Sequence, residues 1–352
     1  MNKIFSIIVG IGLPLSIAGS IFHFPTTILF AIFCITIVGI ASFMGRATES
    51  LAIISGPRVG GLLNATFGNA VELIISVFSL KAGLVGVVLA SLTGSVIGNL
   101  LLVGGLSFFV GGLKYKRQKF NVHDARHNAG LLIFAIVLAY VIPEVFSQNM
   151  NAEKTYSLSV GISIILIILY LSTLFFKLVT HRGVYVHKND IEESHEDEQP
   201  EWSKKKAITV LAIATVSVAF VSEKLVHTFE DVAHTFGWSE LFIGVIIVAI
   251  VGNAAEHASA IVMAYKNKVN IAVEIAVGST LQVAMFVTPV LVLISMFFST
   301  KMSLVFTLPE LVSMITAVIL TIVLTNDGDT NWFEGLTLLA AYIIMGIGFF
   351  LL

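Results

Sequence analysis

The feature that most constrains this chain is a series of eleven long apolar runs, each about as long as a helix that crosses a bilayer. They lie at about 3–22, 25–45, 60–81, 83–112, 129–147, 157–178, 206–226, 240–265, 271–299, 303–325 and 333–352. The runs are continuous and lack the alternating pattern of a membrane β-barrel. The sequence therefore predicts an all-α polytopic membrane protein with about eleven transmembrane helices.

The composition excludes most other classes of protein. Of the 352 residues, 57% are hydrophobic and only 12% are charged, about half the charge of a soluble domain. The net charge of −2 provides no basic excess for nucleic acid. The single cysteine, Cys34, lies in an apolar run, so no disulfide framework is expected. The first run has no A-x-A-like cleavage site, and we expect it to remain as a helix.

Lysine and arginine predict the orientation, because they concentrate in cytoplasmic loops. With a cytoplasmic N-terminus, sixteen of the 20 basic residues lie inside, and only Lys81, Lys154, Lys224 and Lys301 lie outside. We therefore expect a multi-pass protein of the cell membrane, in contact with the lipid bilayer. After eleven spans its C-terminus would be outside. The sequence leaves the oligomeric state open, a homo-oligomer included.

An acidic segment divides the chain near its middle. Residues 187–206 read HKNDIEESHEDEQPEWSKKK, in which seven carboxylates precede a lysine triplet. The simplest interpretation is a solvated cytoplasmic linker between two halves. A cation-sensing segment is the alternative, because clustered carboxylates attract divalent ions.

The chain also repeats itself. GNAVELIIS at 68–76 resembles GNAAEHASA at 252–260, and the same offset of 184 residues places Gly94-Ser95 on Gly278-Ser279. With 1–24 set aside as an extra N-terminal helix, segments 25–186 and 207–352 each contain five spans. Equivalent spans then cross the membrane in opposite directions. Such inverted repeats are typical of secondary transporters, whose substrate site lies where the repeats meet.

Two carboxylates are placed where charge is costly. All six aspartates lie in loops, and of the sixteen glutamates only Glu72 and Glu256 are deep in a span. The glutamates nearest to span ends, where we expect water, are Glu144, Glu223, Glu240, Glu274 and Glu310. Because the two deep glutamates occupy equivalent repeat positions, we expect them to form one ion site.

Neighbouring residues supply further oxygen ligands. Asn69 and Asn253 each precede a deep glutamate by three residues and share its helix face. Gly68 and Gly252 permit local unwinding that frees a backbone carbonyl, as in the broken helices of transporters. Two carboxylates with neutral oxygens suit a hard divalent cation such as Ca²⁺. No cofactor is expected, because the ions are cargo.

The next span of each repeat carries polar residues that can face the same site. These are Ser95 and Asn99 in the first repeat, and Ser279 and Gln282 in the second. Each pair has two interpretations, as ion ligands or as polar contacts that hold membrane helices together. His257, the only histidine deep in a span, is either a structural hydrogen-bonding group or a proton relay.

These motifs resemble those of a known family. GNAVE and GNAAEHASAIVMAYKNK, each followed by a helix with Gly-Ser, are similar to the cation/proton exchanger branch of the calcium/cation antiporter superfamily. The sequence closely resembles bacterial Ca²⁺:H⁺ antiporters in particular. The resemblance implies a ten-helix core of two inverted five-helix repeats, alternating access, and exchange of Ca²⁺ for H⁺.

The resemblance also implies roles for individual residues. Glu72 and Glu256 would be the central ligands. Around them would lie Asn69, Asn253, Ser95, Asn99, Ser279 and Gln282. The sodium-dependent exchangers of the superfamily have proline directly before the glutamate, where this chain has Val71 and Ala255. This departure favours protons as the counter-ion.

The remaining alternatives belong to other functional classes. Antiport of another ion, Na⁺, K⁺ or Mn²⁺ against H⁺, uses similar chemistry. A cation channel needs a continuous pore, commonly built by symmetric subunits. A membrane protease needs H-E-x-x-H or membrane aspartates, and the chain has neither. We therefore expect a transporter that exports cytoplasmic Ca²⁺ and is not an enzyme.

Overall fold

The computed structural model describes residues 2–180 and 199–352, which are almost entirely helical. The helices of the first part are α1 (Asn2–Ile21), α2 (Thr26–Phe67), α3 (Ala70–Lys81), α4 (Val85–Ile97), α5 (Gly104–Lys114), α6 (Val122–Ile136), α7 (Ile142–Ser147) and α8 (Ala152–Phe175). Turns of π-helix follow α4, α6 and α8, at Gly98–Val103, Val137–Val141 and Phe176–Thr180.

The second part has the same kind of architecture. Its helices are α9 (Lys204–Val226), α10 (Phe229–Phe236), α11 (Glu240–Phe242), α12 (Ala249–Gly252), α13 (Ala254–Tyr265), α14 (Val269–Gln282), α15 (Thr288–Ile294), α16 (Leu308–Thr325) and α17 (Trp332–Leu351). Turns of π-helix occupy Ile243–Val248 and Val283–Val287, and a 3₁₀ turn occupies Ser295–Phe297. Strands β1 (Gln118–Lys119) and β2 (Asp329–Thr330) form one short antiparallel pair.

The prediction of an all-α polytopic membrane protein is confirmed. Within the described ranges, nine helices are long and apolar enough to cross a bilayer, or ten if the bent pair Phe229–Phe236 and Glu240–Gly252 counts as one span. Large apolar side chains such as Ile165, Ile213 and Ile344 are exposed on the outside of the bundle. Such a surface is typical of a protein that is surrounded by lipid.

Two predicted spans, 60–81 and 240–265, are not continuous helices. The first is broken at Asn69 and the second at Asn253, where the backbone leaves helical geometry. The Nδ2 atom of Asn253 donates to the carbonyl of Ala249 at 2.9 Å, a local bond that competes with the helix ladder. Gly56, with φ of 77°, also kinks α2 sharply, so the segment before α3 continues from the preceding span.

The two parts pack closely around the central helices. Helix α2 lies along α9, while α4 crosses the π-helical turn Ile243–Val248 of the second part. Helix α1 packs against α2, where the hydroxyls of Ser16 and Thr36 lie 3.3 Å apart. The core therefore includes side chains from both parts of the chain.

The described end of the acidic segment contacts α2. Arg46 forms an ion pair with Glu201, its guanidinium lies 4.6 Å from the ring centre of Trp202, and Trp202 stacks on Phe43. The hydrogen bond and the charge of Arg46 hold the pKa of Glu201 below its usual value.

The other acidic residues of this segment lie outside the described residues, so its function as a linker or a cation sensor stays a prediction. They are Asp190, Glu192, Glu193, Glu196, Asp197 and Glu198. The lysine triplet that ends the segment forms the first turn of α9.

A close helix crossing fixes the position of α4. A Cβ atom on Gly94 would overlap the carbonyl oxygen of Val245 and lie 2.7 Å from the Cβ of Ala249. At its repeat equivalent, Gly278, a Cβ atom would meet nothing within 4 Å. Equivalent glycines of the two repeats are therefore under different packing constraints.

We expect Gly94→Ala to destabilise the protein by about 1–3 kcal/mol, the usual range for overpacking a close contact. The matched control Gly278→Ala should leave stability nearly unchanged. The measurement is the melting temperature of each purified variant in detergent, taken as the temperature at which half of its monodisperse chromatographic peak is lost. Equal melting temperatures for the two variants would contradict the crossing described here.

Candidate ion site between the two repeats

The breaks at Asn69 and Asn253 start the two helices that carry the deep glutamates. Each asparagine is the residue before α3 or α13, and the glutamate lies in the first turn that follows. The free N–H groups at a helix start favour a nearby negative charge. The break therefore places a carboxylate and an amide at a helix terminus inside the protein.

The first half of the site is built around Glu72, which is fully buried. Ser95 of α4 donates its hydroxyl hydrogen to Oε1 of Glu72 at 2.6 Å. Asn253, from the other repeat, donates from Nδ2 to the same serine oxygen at 2.9 Å. Residues of both repeats thus hold this carboxylate.

The second half repeats this pattern around Glu256, which is half-buried. Ser279 of α14 donates to Oε2 of Glu256 at 2.5 Å, and its oxygen lies 3.3 Å from Oδ1 of Asn69. Nδ2 of Asn69 donates to Oε1 of Gln282 at 2.6 Å. As in the first half, the asparagine comes from the opposite repeat.

The two motif glycines allow these contacts between opposite repeats. A Cβ atom on Gly252 would lie 3.3 Å from the Cβ of Glu72, and one on Gly68 would lie 3.0 Å from Oε1 of Glu256. Each glycine therefore faces the glutamate of the opposite repeat. The glycines allow the helices to approach closely. The sequence predicts unwinding at these glycines, but the backbone leaves helical geometry one residue later, at Asn69 and Asn253.

A second layer of polar residues lies behind Ser279 on the side of Glu256. Nδ2 of Asn99 donates to the Ser279 hydroxyl oxygen at 3.1 Å, and Nε2 of His257 lies 3.2 Å from Oδ1 of Asn99. At the equivalent positions, the first repeat has Leu73 for His257, and the second has Val283 for Asn99. The structure connects His257 to Glu256 through two side chains, and both of its predicted roles remain proposals.

Two buried acceptors of the first half-site have no hydrogen-bond partner in the described part of the chain. They are Oε2 of Glu72 and Oδ1 of Asn253. Unsatisfied buried oxygens are costly, and each requires an explanation. A carboxylate and an amide oxygen are ligands that hard cations prefer.

A cavity of about 1480 Å³ reaches the second half-site. Gly68, Glu256, Ser279 and Gln282 lie at its inner end, whereas Glu72 does not line it. Its outer lining includes Arg46, Glu49, Arg117, Lys119 and Lys268, on the side that the basic residues predict to be cytoplasmic. The two glutamates therefore differ in access to solvent.

All ten predicted ligand positions meet in this region, but sequence reasoning missed the π-helical turns beside it. These turns begin directly after Ile97 and Gln282, within one residue of equivalent places in the repeats, and widen both helices beside the site. The Gly-Ser pairs that precede the turns, at 94–95 and 278–279, were the only related pattern in the sequence.

The expectation that Glu310 lies near water is wrong. Its side chain is buried because it closes a capping box with Thr307 at the start of α16 and accepts a hydrogen bond from Thr93 at 3.4 Å. It is therefore a buried glutamate outside the ion site.

The same family model, described as sodium/calcium exchanger protein, matches residues 25–179 and again residues 206–351. The chain belongs to this exchanger family. It is 71% identical over 352 residues, all of both chains, to the Ca(2+)/H(+) antiporter ChaA of Bacillus subtilis.

Two solved structures share the fold of this chain. Native YfkE is 66% identical, with a TM-score of 0.88 over 99% of this chain and 100% of its own. The H+/Ca2+ exchanger CAX is 16% identical and shares the fold, with a TM-score of 0.73 over 99% of this chain and 92% of its own.

The unequal access to this exchanger's two half-sites is testable. Ser259 lines the cavity and is exposed, whereas its repeat equivalent, Ile75, is fully buried. On a Cys34→Ser background and without added ions, we expect Ser259→Cys to react quickly with a polar thiol reagent in detergent. Ile75→Cys should react far more slowly. Similar rates by mass spectrometry would contradict a one-sided cavity.

Proposed function

We propose that this protein is a Ca²⁺/H⁺ antiporter that exports cytoplasmic Ca²⁺ by alternating access. The observation that carries the proposal is the pair of repeat-equivalent carboxylates, each held by a serine of its own repeat beside an asparagine of the other. The full-length similarity to ChaA, whose name states the same ions, supports it.

Antiport follows from the cost of charge in this setting. Each glutamate lies beside the motif glycine of the opposite repeat, with a Cβ atom on Gly252 3.3 Å from the Cβ of Glu72 and one on Gly68 3.0 Å from Oε1 of Glu256. Two unpaired carboxylates held together in a low-dielectric interior are unstable. Either one Ca²⁺ or two protons neutralise the pair. Since a doubly charged empty site is costly to enclose, the protein changes sides only when loaded. Ca²⁺ and H⁺ therefore compete for one site and move in opposite directions.

We assign the ligand oxygens from the contacts around the two glutamates. Oε2 of Glu72 and Oδ1 of Asn253 are the unpartnered acceptors of the deep half. Glu256 and Gln282 face the cavity. The hydroxyls of Ser95 and Ser279 orient the carboxylates, and the Asn69 amide joins the second half to Gln282.

Access to the cavity suggests an order of binding. An ion from the cavity meets Glu256 first, because Glu72 is fully buried behind it. For full coordination, the buried carboxylate of Glu72 must then bind the same cation as Glu256. Asn99 and His257 lie behind Ser279, where they position this serine or relay its proton.

The repeat boundaries and the orientation belong to the same proposal. The family model matches the chain twice, at 25–179 and 206–351, close to the proposed repeats 25–186 and 207–352. The hydrogen bonds at the site relate the repeats reciprocally, as inverted repeats would. The four lysine and arginine residues in the cavity lining favour a cytoplasmic opening, with the N-terminus inside and the C-terminus outside the cell membrane.

The alternatives are less favoured. Exchange of Na⁺, K⁺ or Mn²⁺ against H⁺ as the main activity has no support among the relatives described above. A cation channel requires access to the site from both sides at once, whereas the cavity ends before Glu72. The relatives are transporters, and we propose no enzymatic activity.

We expect Glu72→Gln and Glu256→Gln each to abolish exchange, because glutamine keeps the shape of the side chain but cannot bind and release the proton. The measurement is ⁴⁵Ca²⁺ uptake into everted vesicles under an imposed pH gradient. Uptake that saturates and collapses with the gradient identifies antiport, and gradient-independent flux identifies a channel.

The matched control is Glu310→Gln, which removes another buried glutamate outside the site. Glutamine also supports the capping box in which Glu310 takes part. Exchange should persist in this variant. Wild-type uptake by either site variant, at equal amounts of folded protein, would exclude the two-carboxylate site.

Orientation can be tested with two exposed lysines on opposite sides of the predicted membrane. On a Cys34→Ser background, Lys154→Cys should react with an impermeant thiol reagent in intact cells. Lys116→Cys should react only after the membrane is opened. The reverse pattern would invert the proposed topology without affecting the ion site.

A further inference from the structure

Four buried serine hydroxyls outside the ion site have no hydrogen-bond partner among the described residues. One belongs to Ser107 on α5, and the other three belong to Ser76, Ser79 and Ser222, whose side chains are at most 1% exposed. A buried serine in a helix can be satisfied by the carbonyl four residues earlier, as Ser159 is by Thr155 at 2.8 Å and Ser163 by Ser159 at 2.7 Å. The hydroxyls of Ser76, Ser79 and Ser222 lack such a bond, and these three residues lie on only two helices, α3 and α9.

The hydroxyls of Ser76, Ser79 and Ser222 lie on the side of Glu72 that faces away from the cavity. Ser76 and Ser79 follow Glu72 by four and seven residues, so they share its face of α3. The series ends near Lys81, whose ammonium lies 3.5 Å from the carboxylate of Glu223 on α9. Ser222 directly precedes Glu223. The ion pair thus brings the two serine-bearing helix ends together.

The repeat offset gives an independent reason to connect these serines with ion movement. The equivalent of Ser79 is Met263, and the equivalent of Ser222 is Val38. Both Met263 and Val38 line the open cavity on the side of Glu256. In an inverted-repeat transporter, positions that line the open side of one repeat have equivalents that line the other opening in the opposite state.

We propose that Ser79 and Ser222 line the passage by which the site opens to the side opposite the cavity. Ser76, whose repeat equivalent Ala260 does not line the cavity, lies between this passage and Glu72 on the same face of α3, and the Lys81–Glu223 pair lies at the rim of the passage. This inference rests on the proposed function, since it assigns a route to the same transported ions. In the closed state these hydroxyls are unpaired, and in the open state water or the departing ion pairs with them.

The chemistry of the route differs from that of the cavity. Serine oxygens are neutral, hard ligands that replace part of a cation's hydration shell without holding it as a carboxylate does. The neighbouring side chains of α3, Ile75 and Phe78, are apolar. A narrow path of neutral oxygens between apolar walls therefore suits release of an ion rather than its retention.

The test uses single cysteines in a Cys34→Ser protein reconstituted in proteoliposomes. A charged, impermeant methanethiosulfonate is added to one side during Ca²⁺-driven turnover, and modification is read by a mass shift on gels. Ser79→Cys and Ser222→Cys should be modified from the side opposite to the one at which Met263→Cys and Val38→Cys react. Turnover visits both states, so every active variant exposes its passage.

The matched control is Leu80→Cys, which is buried beside Ser79 and whose repeat equivalent, Ala264, does not line the cavity. It should stay unmodified. In the two serine variants, modification should also cause loss of Ca²⁺ flux. If one variant fails to fold, the other, on a separate helix, gives the same test.

Three results would overturn the proposed passage. They are no modification of either serine variant during active turnover, modification from the cavity side, and modification equal to that of Leu80→Cys. These results are independent of the ion that is carried. If unmodified protein moved another cation in place of Ca²⁺, the proposed function would fail, and the sidedness of labelling during turnover driven by that cation would still decide the route.

Discussion

The rest of this structure depends on the cost of keeping two carboxylates inside a membrane. Charged groups are stable there only when hydrogen bonds and counter-charges replace water. The protein supplies one serine to each glutamate and an asparagine from the opposite repeat to each serine. In the described part of the chain, neither glutamate forms an ion pair with a basic side chain. The site is therefore complete only with a cation or with protons, and this incompleteness is what the proposed transport cycle uses.

The helices around the site are modified to make that arrangement possible. Breaks at Asn69 and Asn253 turn two spans into helix ends inside the protein. Gly68 and Gly252 let each helix approach the glutamate of the other repeat. The π-helical turns after α4 and α14 widen the adjacent helices. These are departures from regular helix, and each lies beside a residue that contacts a carboxylate.

The two halves of the site are nearly symmetric in sequence but not in surroundings. Glu256 is reached by the cavity and connects through Ser279 to Asn99 and His257. Glu72 is sealed and keeps an unpartnered oxygen. Since a single conformation of two inverted repeats opens to one side, equivalent residues must differ in access at any moment. The unpaired serines beyond Glu72 fit this picture as parts of the opening that is closed here.

The sequence by itself determined the membrane class, the repeat and the two glutamates, because twenty-residue apolar runs and intramembrane charge are local properties. It also selected the surrounding polar residues, since their spacing repeats. Only the tertiary structure decided which asparagine meets which serine, because these bonds join residues more than 150 positions apart. It also decided that Glu310 is buried and that Asn69 and Asn253 break their helices. A one-dimensional apolar pattern contains neither the close crossings nor the competition between side chain and backbone that settle these features.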